Sequence, residues 1–106
     1  MIEIREYLDS TGRSPFAKWS SALPVTAAAK VTTALERMAA GQRPNVKGVG
    51  AGVLEYKIDF GPGYRIYFGQ DGDTLVILLA GGTKARQQRD IEQAKLRWRD
   101  YLVRKK

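Results

Sequence analysis

The sequence predicts an α+β fold: a mainly antiparallel four-stranded sheet with an N-terminal helical hairpin and a C-terminal helix, in the order β-α-α-β-β-β-α. Three observations predict it. Apolar residues recur at three- and four-residue spacing between Pro15 and Gly41, alternate with polar ones between Val53 and Phe68, and return to helical spacing after Thr83.

Ile2, Ile4, Tyr7 and Leu8 suggest a short first strand, closed by the turn-forming cluster Asp9-Ser10-Thr11-Gly12. Ser14-Pro15 reads as an N-cap followed by proline at the first helical position, opening a short helix through Phe16, Trp19 and Leu23. Pro24 starts a second helix in which Ala28, Val31, Leu35 and Met38 share a face, and Gly41 supplies its stop. Gln42 to Gly52 is rich in glycine and polar residues and is expected to be loop, with Lys47 at its centre.

From Val53 to Phe60 the even positions are apolar and Glu55, Lys57 and Asp59 are charged, the pattern of a half-buried strand. After the Gly61-Pro62-Gly63 turn, Tyr64, Ile66 and Phe68 continue the apolar side. A three-residue loop puts Phe60 opposite Tyr64, Asp59 opposite Arg65 and Lys57 opposite Tyr67. Lys57, Arg65 and Tyr67 are thereby expected to cluster on the sheet face away from the helical hairpin. Asp71-Gly72 signals a second hairpin; it is too short for a calcium loop. It leads into Thr74–Ala80, apolar at both parities and so covered on both faces. Pairing Gln70 with Asp73 places Val76 and Leu78 beside Tyr67 and Arg65 as a hydrophobic floor. Gly81-Gly82 marks a sharp bend or a close approach. The last helix begins near Thr83, with Ile91, Ala94, Trp98, Tyr101 and Leu102 on one face and basic residues on the other. Trp19 and Trp98 both fit apolar stripes and belong to the core.

A length of 106 residues suits one domain, 1–106, with a modest core. There is no apolar run of membrane-spanning length, and the acidic N-terminus lacks the features of a signal peptide, so a cytoplasmic location is expected. Cysteine and histidine are both absent, which removes disulfides and zinc sites of the usual kind; no metal and no cofactor is expected. The net charge is +7, unevenly spread. Residues 1–83 hold nine Lys/Arg against eight Asp/Glu, whereas residues 84–106 hold nine against three, counting Lys105 and Lys106. An acidic partner is expected, either nucleic acid or an acidic protein segment; the alternative is a solvated basic helix face with no specific partner.

The string GPGYRIYF, followed by LVILLAGGTKARQQRDI, together with SPFAKW and NVKGVGAGVLEYKIDF, resembles the RelE/ParE/HigB superfamily of toxins from type II toxin–antitoxin systems. Within it the likeness is to the phage-derived Gp49-like, or addiction-module killer, branch. The resemblance spans nearly the whole chain and implies a RelE-like fold and a cognate antitoxin, often a helix-turn-helix protein. It also implies, as in RelE-like members, action on messenger RNA in the ribosome. It places Arg65 at the family's phosphate-binding arginine, Lys57 at a catalytic lysine, and Lys84 and Arg86 in the basic segment after the last strand. Two positions depart from the pattern: Asp59 stands where a second lysine is usual, and Asp90 where a tyrosine is.

Metal-free RNA cleavage needs a base for the ribose 2′-hydroxyl, cations for the phosphate and a proton source for the leaving oxygen. The candidate catalytic residues are Lys57, Arg65 and Lys84; Lys47, Tyr67, Arg86 and Arg89 are candidates for RNA or phosphate binding. Asp59 either offsets the charge of Arg65 or itself accepts a proton. The competing readings are a gyrase-directed protein inhibitor and a non-toxic remnant that only binds its antitoxin.

Overall fold

In the computed structural model, which describes residues 1–105, the period-two segments assemble into one five-stranded sheet with helices on both faces. The elements are β1 (Glu3–Glu6), α1 (Pro15–Ser21), α2 (Val25–Ala39), β2 (Val46–Gly50), β3 (Val53–Ile58), β4 (Tyr64–Asp71), β5 (Leu75–Thr83) and α3 (Gln87–Arg104), with a single 3-10 turn, Lys84–Arg86, ahead of α3. The strand order is β1-β5-β4-β3-β2, with β1 parallel to β5 and the other pairs antiparallel. The α+β class and both predicted helical regions are found. Lys106, counted above with the basic C-terminal residues, lies outside the described residues.

The sheet has one strand more than predicted. The segment around Lys47, expected to be loop, is the edge strand β2, paired with β3 through Val46↔Tyr56 and Lys47↔Glu55. Val46 packs on one side of the sheet and Val49 on the other, and a register shift between Gly48 and Gly50 interrupts the pairing. An interrupted edge strand leaves no clean period of two in the sequence.

Local chemistry sets the helices as expected. Ser14 Oγ accepts the Ala17 N–H at 3.0 Å and Pro15 opens α1. Beyond α2, Gly41 adopts φ 82° and its N–H reaches the Met38 carbonyl at 3.0 Å. Ala27, Val31, Ala34 and Met38 form the buried stripe of α2, with Ala28 and Leu35 at its margin. Together α1 and α2 cover one sheet face over Tyr56, Ile66, Phe68, Val76 and Leu78. On the opposite face α3 lays Ile91, Ala94 and Trp98 over Val53, Tyr67, Ile77 and Leu79. Leu102, predicted on the same stripe, is instead an exposed residue, since the helical period keeps Tyr101 inward at that level. Tyr101 stacks on Trp98 and donates to Asp71 Oδ2 at 2.6 Å; burial and that carboxylate push its hydroxyl up to about 12.

Two registers differ from expectation. Ile58, not Phe60, stands opposite Tyr64, because the Phe60 N–H turns back to the Ile58 carbonyl and the Gly63 N–H to the Phe60 carbonyl, making a longer loop. The shift is by two residues, so the faces are kept while the partners change: Lys57 lies opposite Arg65, and Glu55 opposite Tyr67. In the next hairpin Asp71 pairs with Leu75 and Gln70 with Val76, so Asp73 belongs to the turn. Leu79 is then an extra residue between Phe68↔Leu78 and Tyr67↔Ala80. This bulge flips the facing of β5. Val76 and Leu78 go to the α1/α2 core, and the residues beside Tyr67 and Arg65 are Ala80 and Gly82.

Candidate functional site

The end of the sheet that carries the Gly61–Gly63 turn is where the charged residues of the alternating pattern gather. Two cross-strand rows face α3: Lys47, Glu55, Tyr67 and Ala80 in one, and Lys57, Arg65 and Gly82 in the next. At their centre is Glu55, a carboxylate only 1% exposed. Lys47 Nζ lies 3.7 Å from its Oε1, Arg65 Nε lies 3.7 Å from its Oε2, and Gln87 Nε2 donates to Oε2 at 2.9 Å. Gln87 is the first residue of α3, so the helix start, the two strands and the edge strand meet on one carboxylate.

Arg65 is buried with it. Its guanidinium folds under the turn and Nη1 donates to the Gly63 carbonyl at 2.7 Å. Gly63 has φ 80°, and a Cβ there would crowd the Arg65 guanidinium and touch Lys84 Cβ, which places Lys84 at the same end of the sheet. Tyr67 is wholly buried, so its ring offers no surface for a base to stack on; burial and the neighbouring Glu55 carboxylate drive its hydroxyl well above the usual phenol range. Lys57 and Lys47 are the exposed members, with about half and two thirds of their side chains open; Lys57 Nζ lies 3.4 Å from Asp59 Oδ1.

Lys47, Lys57, Arg65, Tyr67 and Lys84 are thus brought together. Arg86 and Arg89 line a separate cleft of about 670 Å³ toward the β1 edge, with Lys18, Trp19, Asp90 and Arg97. At that point β5 passes between two side chains that require its glycines. A methyl group at Gly81 would overlap the Trp19 indole, and one at Gly82 would overlap the Asp90 carboxylate. Close approach, not a bend, explains the glycine pair. Sequence reasoning left Glu55 as one charge on an outward face. The available signal was that a C-terminal helix with an apolar stripe must lie on that face and bury whatever projects there.

The five-stranded sheet, the helical hairpin on one face and the C-terminal helix on the other define a RelE-like α+β domain. Residues 18–99 match the family described as Phage derived protein Gp49-like (DUF891), and the chain belongs to that family. The family is associated with the killer proteins of toxin–antitoxin addiction modules, a role that carries an antitoxin partner. A protein of Haemophilus influenzae with the name "Uncharacterized protein" is 43% identical over 82 residues, covering 76% of this chain and 83% of that protein. No helix among the described residues is long and apolar enough to cross a membrane.

Proposed function

We propose that the chain is the toxin of a type II toxin–antitoxin pair and acts in the cytoplasm by cutting messenger RNA on the ribosome without a metal. The observation that carries this reading is the convergence of Lys57, Arg65 and Lys84, drawn from two strands and the segment after the last one, at one end of the sheet. In this reading the exposed Lys47, Lys57 and Lys84 grip the phosphate backbone. Arg65, held by Glu55 and the Gly63 carbonyl, contributes positive charge from beneath and fixes the strand geometry.

The Lys57–Asp59 pair is the acid–base couple. Asp59 takes the proton of the 2′-hydroxyl as the 2′-oxygen attacks phosphorus. The bond from phosphorus to the 5′-oxygen breaks, and the Lys57 ammonium protonates that oxygen. This uses the departure at Asp59 and needs no histidine.

Inducing the gene without its neighbour and mapping RNA 5′ ends tests the proposal. Lys57→Ala is expected to slow cleavage about 100-fold or more while the protein stays folded, since the side chain is half exposed. Lys84→Ala weakens ribosome association, by the largest factor at low salt and with a shallower salt dependence. Unchanged cutting and toxicity in both variants sinks the reading. One observation favours a second reading, a gyrase-directed inhibitor: Arg65 shows only 6% of its side chain, leaving fewer groups for a scissile phosphate. That alternative predicts intact transcripts and DNA damage.

A further inference from the structure

The cleft that holds Arg86 and Arg89 has a floor unlike the proposed RNA site. β1 pairs with Leu75–Leu78 and stops at Glu6; the Tyr7 N–H makes a last bond to the Leu78 carbonyl at 2.9 Å. The chain then leaves through the turn built on Asp9, whose carboxylate accepts from Thr11 and Arg13. Ala80–Thr83 therefore has β4 on one side and no strand on the other. This open edge runs along the cleft, between a wall from α1 (Pro15, Lys18, Trp19) and a wall from the 3-10 turn and α3 (Arg86, Arg89, Arg97).

We propose that this groove takes an extended, acidic segment of a partner protein as an added strand beside β5, in the space β1 vacates. A strand laid there pairs its main chain with the open edge and sends alternate side chains to the α1 and α3 walls. Both walls are basic: Lys18 on one, Arg86, Arg89 and Arg97 on the other, and none of the four forms a salt bridge among the described residues. Acidic side chains on both faces of the guest match them.

A nucleic-acid strand fits less well. Its backbone has no alternating donors and acceptors at strand spacing to pair with the open edge. Arginines on a strand edge also keep copies of a chain from pairing with each other, but that purpose needs no groove walled by two helices. The proposal is independent of the RNA-cutting reading, since neither Lys57 nor Lys84 lines this groove.

The test is an NMR titration of the full ¹⁵N-labelled chain with a short peptide repeating Glu-Glu-Val-Val, which sends glutamates to both walls. Three controls accompany it: the same peptide with lysine for glutamate, a version with proline at alternate positions to remove N–H donors, and a uridine oligonucleotide. The expected result is shifts centred on Ala80–Thr83 with slowed amide exchange there, binding weakened at least about tenfold by Lys18→Glu with Arg89→Glu, and loss of binding in the proline version. The spectrum of the double variant reports directly that it is folded. Shifts centred elsewhere overturn the proposal, as does equal binding of the lysine or proline peptide. Occupation of the groove by the oligonucleotide while the glutamate peptide fails to bind overturns it in favour of nucleic acid.

Discussion

The two faces of the sheet are built from the same strands yet obey different rules. Under α1 and α2 the buried residues are apolar or aromatic, with Ile66 and Phe68 fully enclosed. Under α3 the same strands bury Glu55 and Arg65. Among the described residues, the buried polar side-chain atoms without a hydrogen-bond partner, Arg65 Nε, Tyr67 Oη and Asp90 Oδ2, also gather at this face, where Arg65 and Tyr67 project from β4 and Asp90 seats against Gly82. Unpartnered buried polar atoms oppose folding, so a chain selected for stability alone has no reason to concentrate them on one side. Both faces have an apolar core, but only the α3 face adds buried charge and these polar atoms.

Breaking the first face has the largest effect. Phe68→Ala empties a wholly enclosed position and is expected to cost about 3–5 kcal/mol in urea unfolding. The second face responds differently. Arg65→Met removes one partner of a buried charge pair and is expected to cost about 3 kcal/mol, because Glu55 is left in a site made for an ion pair. Adding Glu55→Leu removes the stranded charge, and the double variant is expected to return to within about 1 kcal/mol of the starting protein. If the two losses simply add, the pair is not coupled and the contrast between the faces fails. The same reasoning makes Arg65→Ala a poor test of RNA cleavage, since lost toxicity and lost folding look alike.

The apolar face was legible because Leu54, Tyr56, Ile58, Tyr64, Ile66 and Phe68 alternate without interruption, and because Ser14-Pro15 and Gly41 mark helix ends by local chemistry alone. Parity also carried through the mistaken loop length, so the shared face of Lys57, Arg65 and Tyr67 was foreseen although their partners were not. Three features depended on contacts distant in sequence. The β5 bulge sits in a run apolar at both parities, which carries no mark of where facing changes. The Lys47 strand is an interrupted edge. The burial of Glu55 exists only because Gln87 and the start of α3 close over it.

The smallest predicted effect sharpens the contrast within α3, where two aspartates differ in sign. Burial raises the Asp90 carboxyl above its usual value, with Arg86, Arg89 and Arg97 pulling it back down. The folded state then holds this proton at pH values where the unfolded chain has released it, so the contribution of Asp90 to stability falls as pH rises through its folded value. Asp100 is the reverse: the Tyr7 hydroxyl, donating at 2.6 Å, and then Arg104 hold it below the usual range. Its contribution is present above the ordinary carboxylate value and fades as pH falls through the lower folded one. Melting temperatures measured from acid to neutral pH should therefore show Asp90→Asn gaining on the starting protein as pH rises, and Asp100→Asn losing ground over the same direction. A curve for Asp90→Asn parallel to that of the starting protein would mean that the Asp90 carboxyl is solvated like an ordinary surface acid, and that its seat against Gly82 imposes no desolvation on it.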